Sequence, residues 1–253
     1  MLMRWSMPTE SRRVTRLDLE ETDTCSVATM SATRTHRPRV IFLGNDDIEY
    51  TEHVPDPDLA PWVQAFWHLR CLRPTRLRVL PDACMDIING DVVGSLTTVI
   101  VADLNAGDES YGVRLRPGAF TTLYGVPADE LTDVTVPLQE LVRNAPSLRA
   151  AAADAARPDP VADAAMYQPN LKSLSRDSGY SERHLRRRVL AATGHGPRKL
   201  ARIARMQALL AAGRGESWAR SAAEFGYYDE SHMINDIKAL ADATPQELLG
   251  ERP

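Results

Sequence analysis

Arg183, Arg186 and Arg187 lie in the stretch Ser181-Glu-Arg-His-Leu-Arg-Arg-Arg-Val-Leu-Ala-Ala-Thr-Gly-His-Gly-Pro197. On a helix of 3.6 residues per turn they return to one side, while Leu185, Val189 and Ala192 return to the other. A guanidinium can pair with O6 and N7 of guanine and can neutralise phosphate, so such a face could both bind and read duplex DNA. Ser181 fits the N-cap that would start this helix. A solvated charged face is the other reading of such a run.

Two further groups have residue types capable of chemistry. Asp82, Cys84 and Asp86, with His68 elsewhere, are of the kind that ligate transition metals, and the first three alternate along a strand-like run. If their shared face lines a pocket, they make a metal or small-ligand site; if it lies at a strand end, Asp82 caps a turn and Cys84 is a small buried residue. Arg114 and Arg116, also two apart, could hold an acidic effector or pair with nearby carboxylates on the surface. No metal is assigned on these spacings, and no cofactor is expected.

The arginines would be positioned by a repeated unit. Asp229-Glu-Ser-His-Met-Ile-Asn-Asp-Ile-Lys-Ala-Leu-Ala-Asp-Ala-Thr-Pro245 follows the first stretch at a constant offset of 48. Glu182 then matches Glu230, His184 matches His232, Leu185 matches Met233, Val189 matches Ile237, and Pro197 matches Pro245. Both stretches are preceded by Gly-Tyr, at Gly179-Tyr180 and Gly226-Tyr227. Two copies of one supersecondary unit account for this. Each parses as helix, tight turn, helix: Leu171 to Ser178, a turn at Gly179 and a helix capped by Ser181, then Trp218 to Phe225 capped by Ser217, a turn at Gly226 and a helix capped by Asp229. A second helix leaving a short turn with glycine is the helix-turn-helix arrangement, whose second helix enters the major groove. His184 and His232 fall beside the groove-facing stripe and should pack near the preceding helix.

The copies differ in charge. Leu171 to Ala212 holds ten lysines or arginines against two acids, whereas Ser221 to Pro253 holds two against seven, in a chain of net charge −4. The groove-facing positions of the second copy are Ser231, Ile234, Asn235 and Lys238, and Asp242 stands where the first has Gly194. Little is gained there from phosphate neutralisation, so the first unit is expected to supply most of the affinity.

With Arg198 to Ala212 as a joining helix, the pair of units resembles the DNA-binding domain of the AraC/XylS family of bacterial transcription regulators. Ala222-Ala-Glu-Phe-Gly-Tyr-Tyr-Asp-Glu-Ser-His232 and Ala241-Asp-Ala-Thr-Pro-Gln-Glu-Leu-Leu249 carry the likeness. It implies two helix-turn-helix units on one linker, reading successive groove faces of double-stranded DNA. A regulator of this kind would have RNA polymerase, a small-molecule effector and a second copy of itself as further candidate partners. Asn235 stands where the family often has Arg. Some relatives transfer a methyl group to a zinc-bound cysteine held among four thiolates, and Cys25, Cys71 and Cys84 are too few and too scattered for that. With no Gly-rich phosphate loop, HExxH or GxSxG either, an enzyme is not expected.

The 253 residues allow two ordinary domains, and 43% apolar with 25% charged residues is typical of a globular chain. No run reaches the length of a membrane span and no signal peptide is evident, so a cytoplasmic protein is expected. Residues 1–39 are rich in Thr, Ser and Arg without periodicity and read as a disordered tail. From 40 to 143, short apolar runs at Val40 to Leu43, Val63 to Leu72, Arg76 to Leu80, Met85 to Ile88, Leu96 to Ala102 and Tyr111 to Leu115 read as strands, the second alternatively as a helix. Ala119 to Tyr124 reads as a short helix. The expectation is an α+β chain: a β-rich barrel or sandwich for sensing or assembly, a connector over 144–169 broken at Arg157-Pro-Asp-Pro160, and an all-α domain over 170–253. Trp67-His-Leu-Arg70, Leu80-Pro-Asp-Ala-Cys-Met-Asp-Ile87 and Gly112-Val-Arg-Leu-Arg-Pro-Gly118 are similar to a small domain found ahead of the DNA-binding module in some AraC relatives, with Ala83 in place of an expected glycine.

Overall fold

A computed structural model of the chain describes residues 4–5, 42–43 and 46–250, apart from 156, 160, 163–164, 166–170, 214 and 216. The expectation for 1–39 lies outside the described residues except at β1 (Arg4–Trp5), which pairs in parallel with Val101 and Ala102.

The N-terminal part is a two-sheet β structure. Strands β2 (Phe42–Leu43), β5 (Thr75–Val79) and β8 (Ile100–Leu104) join β1 in the order β1-β8-β5-β2. The larger sheet has the order β10-β7-β6-β9-β4-β3, built from β3 (Ile48–His53), β4 (Val63–Cys71), β6 (Met85–Ile88), β7 (Asp91–Val93), β9 (Glu109–Leu115) and β10 (Thr135–Pro137). β4 settles as a strand because its apolar residues alternate: Val63, Ala65, Trp67, Leu69 and Cys71 are all buried. Trp67, Leu69 and Cys71 meet Leu77, Ala102 and Leu104 of the smaller sheet. Gly112 pairs with Trp67, and a Cβ there would fall 2.1 Å from the indole, so only glycine lets the ring lie across β9. Asn89 and Gly90, with φ of 52° and 94°, turn β6 into β7 as a two-residue hairpin of the kind that needs positive φ at both positions. The run expected as a strand from Leu96 enters the sheet only at Ile100, because residues 94–99 make other contacts.

A second core lies under α1 (Ala119–Tyr124), the 3-10 turn Ala128–Glu130, α2 (Leu138–Leu141) and α3 (Leu148–Asp154), around Leu59, Trp62, Phe120, Leu131 and Ala151. α3 ends before the Pro-containing break. The connector then becomes part of a core, with Val161 and Ala165 packed among residues of the helical domain.

That domain comprises α4 (Leu171–Ser178), α5 (Glu182–Thr193), α6 (Pro197–Ala212), α7 (Trp218–Glu224), α8 (Glu230–Ala241) and α9 (Pro245–Gly250). Its core takes Leu185 and Val189 from α5, Leu200, Ile203 and Met206 from α6, and Met233, Ile237 and Leu240 from α8. Leu80, Ala83 and Val99 of the β part belong to the same cluster, so apolar packing is continuous through the joint. Among the described residues no helix is long and apolar enough to cross a membrane.

Candidate nucleic-acid interface

Both units start their second helix by the same device. Ser181 accepts a hydrogen bond from the His184 amide at 3.3 Å, and Asp229 from that of His232 at 2.7 Å. Each satisfies one of the amides that a helix leaves without an internal partner. Gly179 and Gly226, with φ of 73° and 75°, make the two turns. The histidines lie against the aromatic residue that follows each turn. His184 stacks on Tyr180 at 4.7 Å, while His232 meets Tyr227 edge-on at 5.6 Å and accepts the Tyr228 amide at Nδ1.

α5 buries Leu185, Val189, Ala192 and Thr193 and leaves Ser181, Arg183, Arg186 and Arg187 exposed. Arg186 makes an i,i+4 pair with Glu182 at 3.3 Å, open to water and weak enough to yield to a phosphate or base. Arg188 is held elsewhere: its guanidinium forks onto Asp159 of the connector at 2.9 and 3.0 Å and lies over the Tyr180 ring. These contacts, hydrogen bonding foremost, raise its pKa.

On α8, Ser231, Asn235 and Lys238 are exposed. Ile234, expected on the groove face, is half-buried against the core, because this helix turns a wider apolar sector inward than α5 does. Asp236 occupies the place of Arg188, 48 positions on. It is buried and paired with Arg202 and Arg205 of α6. Part of the positive surplus read from the sequence is thus spent inside the domain. The offset alignment held a signal for this, a charge reversal between two otherwise similar copies.

The candidate residues of the β part divide. Asp82, Asp86 and Arg114 come together: Arg114 is 2% exposed, with Asp82 at 3.5 Å, Asp86 at 3.6 Å and Glu52 at 2.9 Å. Trp67 Nε1 donates to Asp86 at 2.7 Å. Burial pushes the Asp86 carboxyl up to about 6, against the pull of Arg114 and with the repulsion of Asp82. The strand-like alternation of 82, 84 and 86 is not what forms, since β6 begins at Met85 and Ala83 has a φ of 62°. Asp82 instead accepts the Cys84 amide at 2.9 Å, and the buried Cys84 thiol faces Gln64. That left-handed residue is where the resemblance leads one to expect glycine. His68 does not join this group; it stacks on Tyr111 and bonds Glu109 at 2.7 Å. Arg116, expected to share a face with Arg114, lies beyond the end of β9 and donates to the Ala60 carbonyl at 2.7 Å. Among the described residues no group of three or more His, Cys, Asp or Glu is placed to hold a metal.

Comparison with known proteins agrees with the repeat. Residues 174–251 match the family model of a helix-turn-helix domain, and residues 51–137 match that of a domain of unknown function (DUF6597). The chain therefore carries an AraC-type helix-turn-helix domain over residues 174–251, behind a β-rich domain. No curated protein matches it significantly. Among solved structures it is similar to the crystal structure of an apo ToxT variant from Vibrio cholerae strain SCE256, at 9% identity and a TM-score of 0.38, over 83% of this chain and 99% of that one.

Proposed function

We propose that the chain reads DNA mainly through α5, with Arg183, Arg186 and Arg187 in the major groove and Ser181 at the helix start. The second unit adds local discrimination through Ser231, Asn235 and Lys238. The observation that carries this is the unequal polar face of two similar helices: three exposed arginines over Leu185 and Val189 on α5, one exposed lysine over Met233 and Ile237 on α8. Three arginines can supply phosphate contacts and guanine pairing together, whereas α8, beside several acids, gains little from phosphates.

In this reading residues 40–143 are a sensing or assembly domain, 144–169 a connector and 170–253 the DNA-binding domain. Specific sites need ~4–10 kcal/mol over nonspecific DNA, more than one recognition helix usually provides. The balance would come from the second unit and from a second copy of the chain joined through the β-rich domain. Selection of bound sequences from a random duplex pool tests the reading. A motif with one strongly conserved guanine-containing element and one weaker element is expected. No enrichment over the starting pool would reject it.

A further inference from the structure

The β-rich domain reaches the ends of both recognition helices with a single segment. Residues 94–99, between β7 and β8, cross the joint. Ser95, 0% exposed, donates its hydroxyl to the Thr193 carbonyl at the end of α5 at 2.9 Å. Four residues on, the Val99 amide donates to the Leu240 carbonyl at the end of α8 at 2.7 Å. Flanking groups extend both contacts. Thr132 Oγ1 donates to Gly194 O at 3.1 Å and Thr121 Oγ1 to Ala191 O at 3.3 Å, while Arg78 Nη1 donates to Ala241 O at 3.0 Å.

A helix leaves its last carbonyls without internal partners, and here donors of another domain fill them in both units. The segment is itself fixed from behind. Asp133 accepts from the Thr97 amide at 2.7 Å and from its hydroxyl, and donates its own amide to Ser95 O at 3.2 Å. Four residues span at most ~14 Å, so a short, braced length of chain relates the two helix ends. The joining helix α6 is bound to the same domain, Gln207 Nε2 donating to Pro81 O at 2.9 Å.

We infer that residues 94–99, with Thr132 and Arg78, are a positioning element that sets the relative placement of α5 and α8, and so the spacing between the two DNA elements the chain accepts. The role in spacing rests on the reading that both helices face DNA; the rigidity of the joint does not. Nothing in this element touches DNA in that reading, so its removal should change discrimination between spacings more than the strength of a single contact.

The test uses the full chain, parent and Ser95→Ala/Thr132→Val/Arg78→Met. Spin labels at Leu190→Cys and Ala239→Cys, both at exposed positions, in a Cys25→Ser background report the distance between the helices without DNA. The parent should give a narrow distribution and the triple variant one about twice as wide. On duplexes carrying the two selected elements at graded spacers, the parent should prefer one spacer by about tenfold, falling to about twofold in the variant, with affinity for the first element alone unchanged. Thr132→Ser, which keeps the hydroxyl, should behave as the parent. If the triple variant fails to fold, Thr132→Val and Arg78→Met are read singly for the same loss. Unchanged distances and spacer preference would assign the spacing to α6 alone and overturn the inference. So would tighter binding of the variant at every spacer, which would mark the joint as inhibitory. Distances that widen as expected in a chain binding no DNA would reject the spacing role together with the DNA reading, and would do so separately from the result on rigidity.

Discussion

The two helix-turn-helix units share a backbone and differ in what ties it down. Position for position, Arg188 of the first is Asp236 of the second, Gly194 is Asp242 and His195 is Ala243. Arg188 reaches outward to Asp159 of the connector, whereas Asp236 reaches inward to Arg202 and Arg205 of the joining helix. The first unit is thereby anchored to the N-terminal side of the chain, and its second helix keeps three arginines exposed. The second unit draws on cations of α6, and its second helix exposes one lysine, Lys238. A duplicated frame can thus diverge in charge at its ends and faces while its caps, turns and core positions stay the same.

The largest effect that could break this comparison is on stability. Asp236→Ala would leave Arg202 and Arg205 facing a buried site without their carboxylate and should cost about 2–4 kcal/mol in chemical denaturation. Arg188→Ala, whose pair is partly open to water, should cost about 1 kcal/mol. Equal losses would mean that the two anchors are equivalent. Next is the residue ending each recognition helix. Gly194 has a φ of 76°, and a Cβ there would lie 2.4 Å from Ser95 Oγ and 2.6 Å from Thr132 Oγ1. Gly194→Ala should therefore destabilise by about 2–3 kcal/mol. Asp242, with a φ of 50°, tolerates the same left-handed region at some cost, and Asp242→Gly should gain up to ~1 kcal/mol. A thermal melt of each variant checks both signs.

For DNA, Arg187→Ala should weaken binding to the preferred site by ~1–3 kcal/mol, and Asn235→Ala by less, as read by fluorescence anisotropy. A weaker Asn235 variant would reverse the order of the units.

The smallest signal in the parent is expected from pH. His195, in the joint of the first unit only, is held down to about 4, by burial first and by Lys199 next. Its imidazole stays neutral in the folded chain while the unfolded chain takes a proton below ~6.5, so stability is full above that pH and falls towards pH 4. Asp86, raised to about 6, works the other way: the folded chain takes up its proton first, and stability rises as pH falls from 6 towards the ordinary Asp range. The two oppose each other, and the parent's melting temperature should vary little between pH 6.5 and 4.5. Asp86→Asn should uncover a fall on acidification, and His195→Leu a rise. Parallel slopes in parent and both variants would show that neither group is linked to folding.

Local signals explain what the sequence made legible. Ser181, Ser217 and Asp229 cap, Gly179 and Gly226 turn, and the apolar spacing of α5 and α8 points to the side that is buried; each depends on residues a few positions apart. β3 carries no such signal, because Ile48–His53 is an edge strand with little buried surface and hence no apolar alternation. The Arg114 group joins residues 52, 82, 86 and 114, and its geometry depends on a left-handed Ala83 that side-chain types do not announce. The joint was the least legible part. Ser95, Thr121 and Thr132 are ordinary loop and helix residues in sequence, and the carbonyls they bind belong to a backbone whose position only the assembled chain defines.

The close fit at Gly118 and Gly194 has a consequence for building chimaeras. A Cβ on Gly118 would lie 2.5 Å from the methyl of Ala162, and one on Gly194 would strike Ser95 and Thr132. The β-rich domain and the helical domain are thus matched to each other at single-atom tolerance. A helical domain of the same type transplanted from another protein would seat here without strain only if it brought a glycine at 194 and a connector residue no larger than alanine at 162. Grafts lacking either should lose stability at the joint by about the 2–3 kcal/mol expected for Gly194→Ala, whatever the quality of their recognition helices.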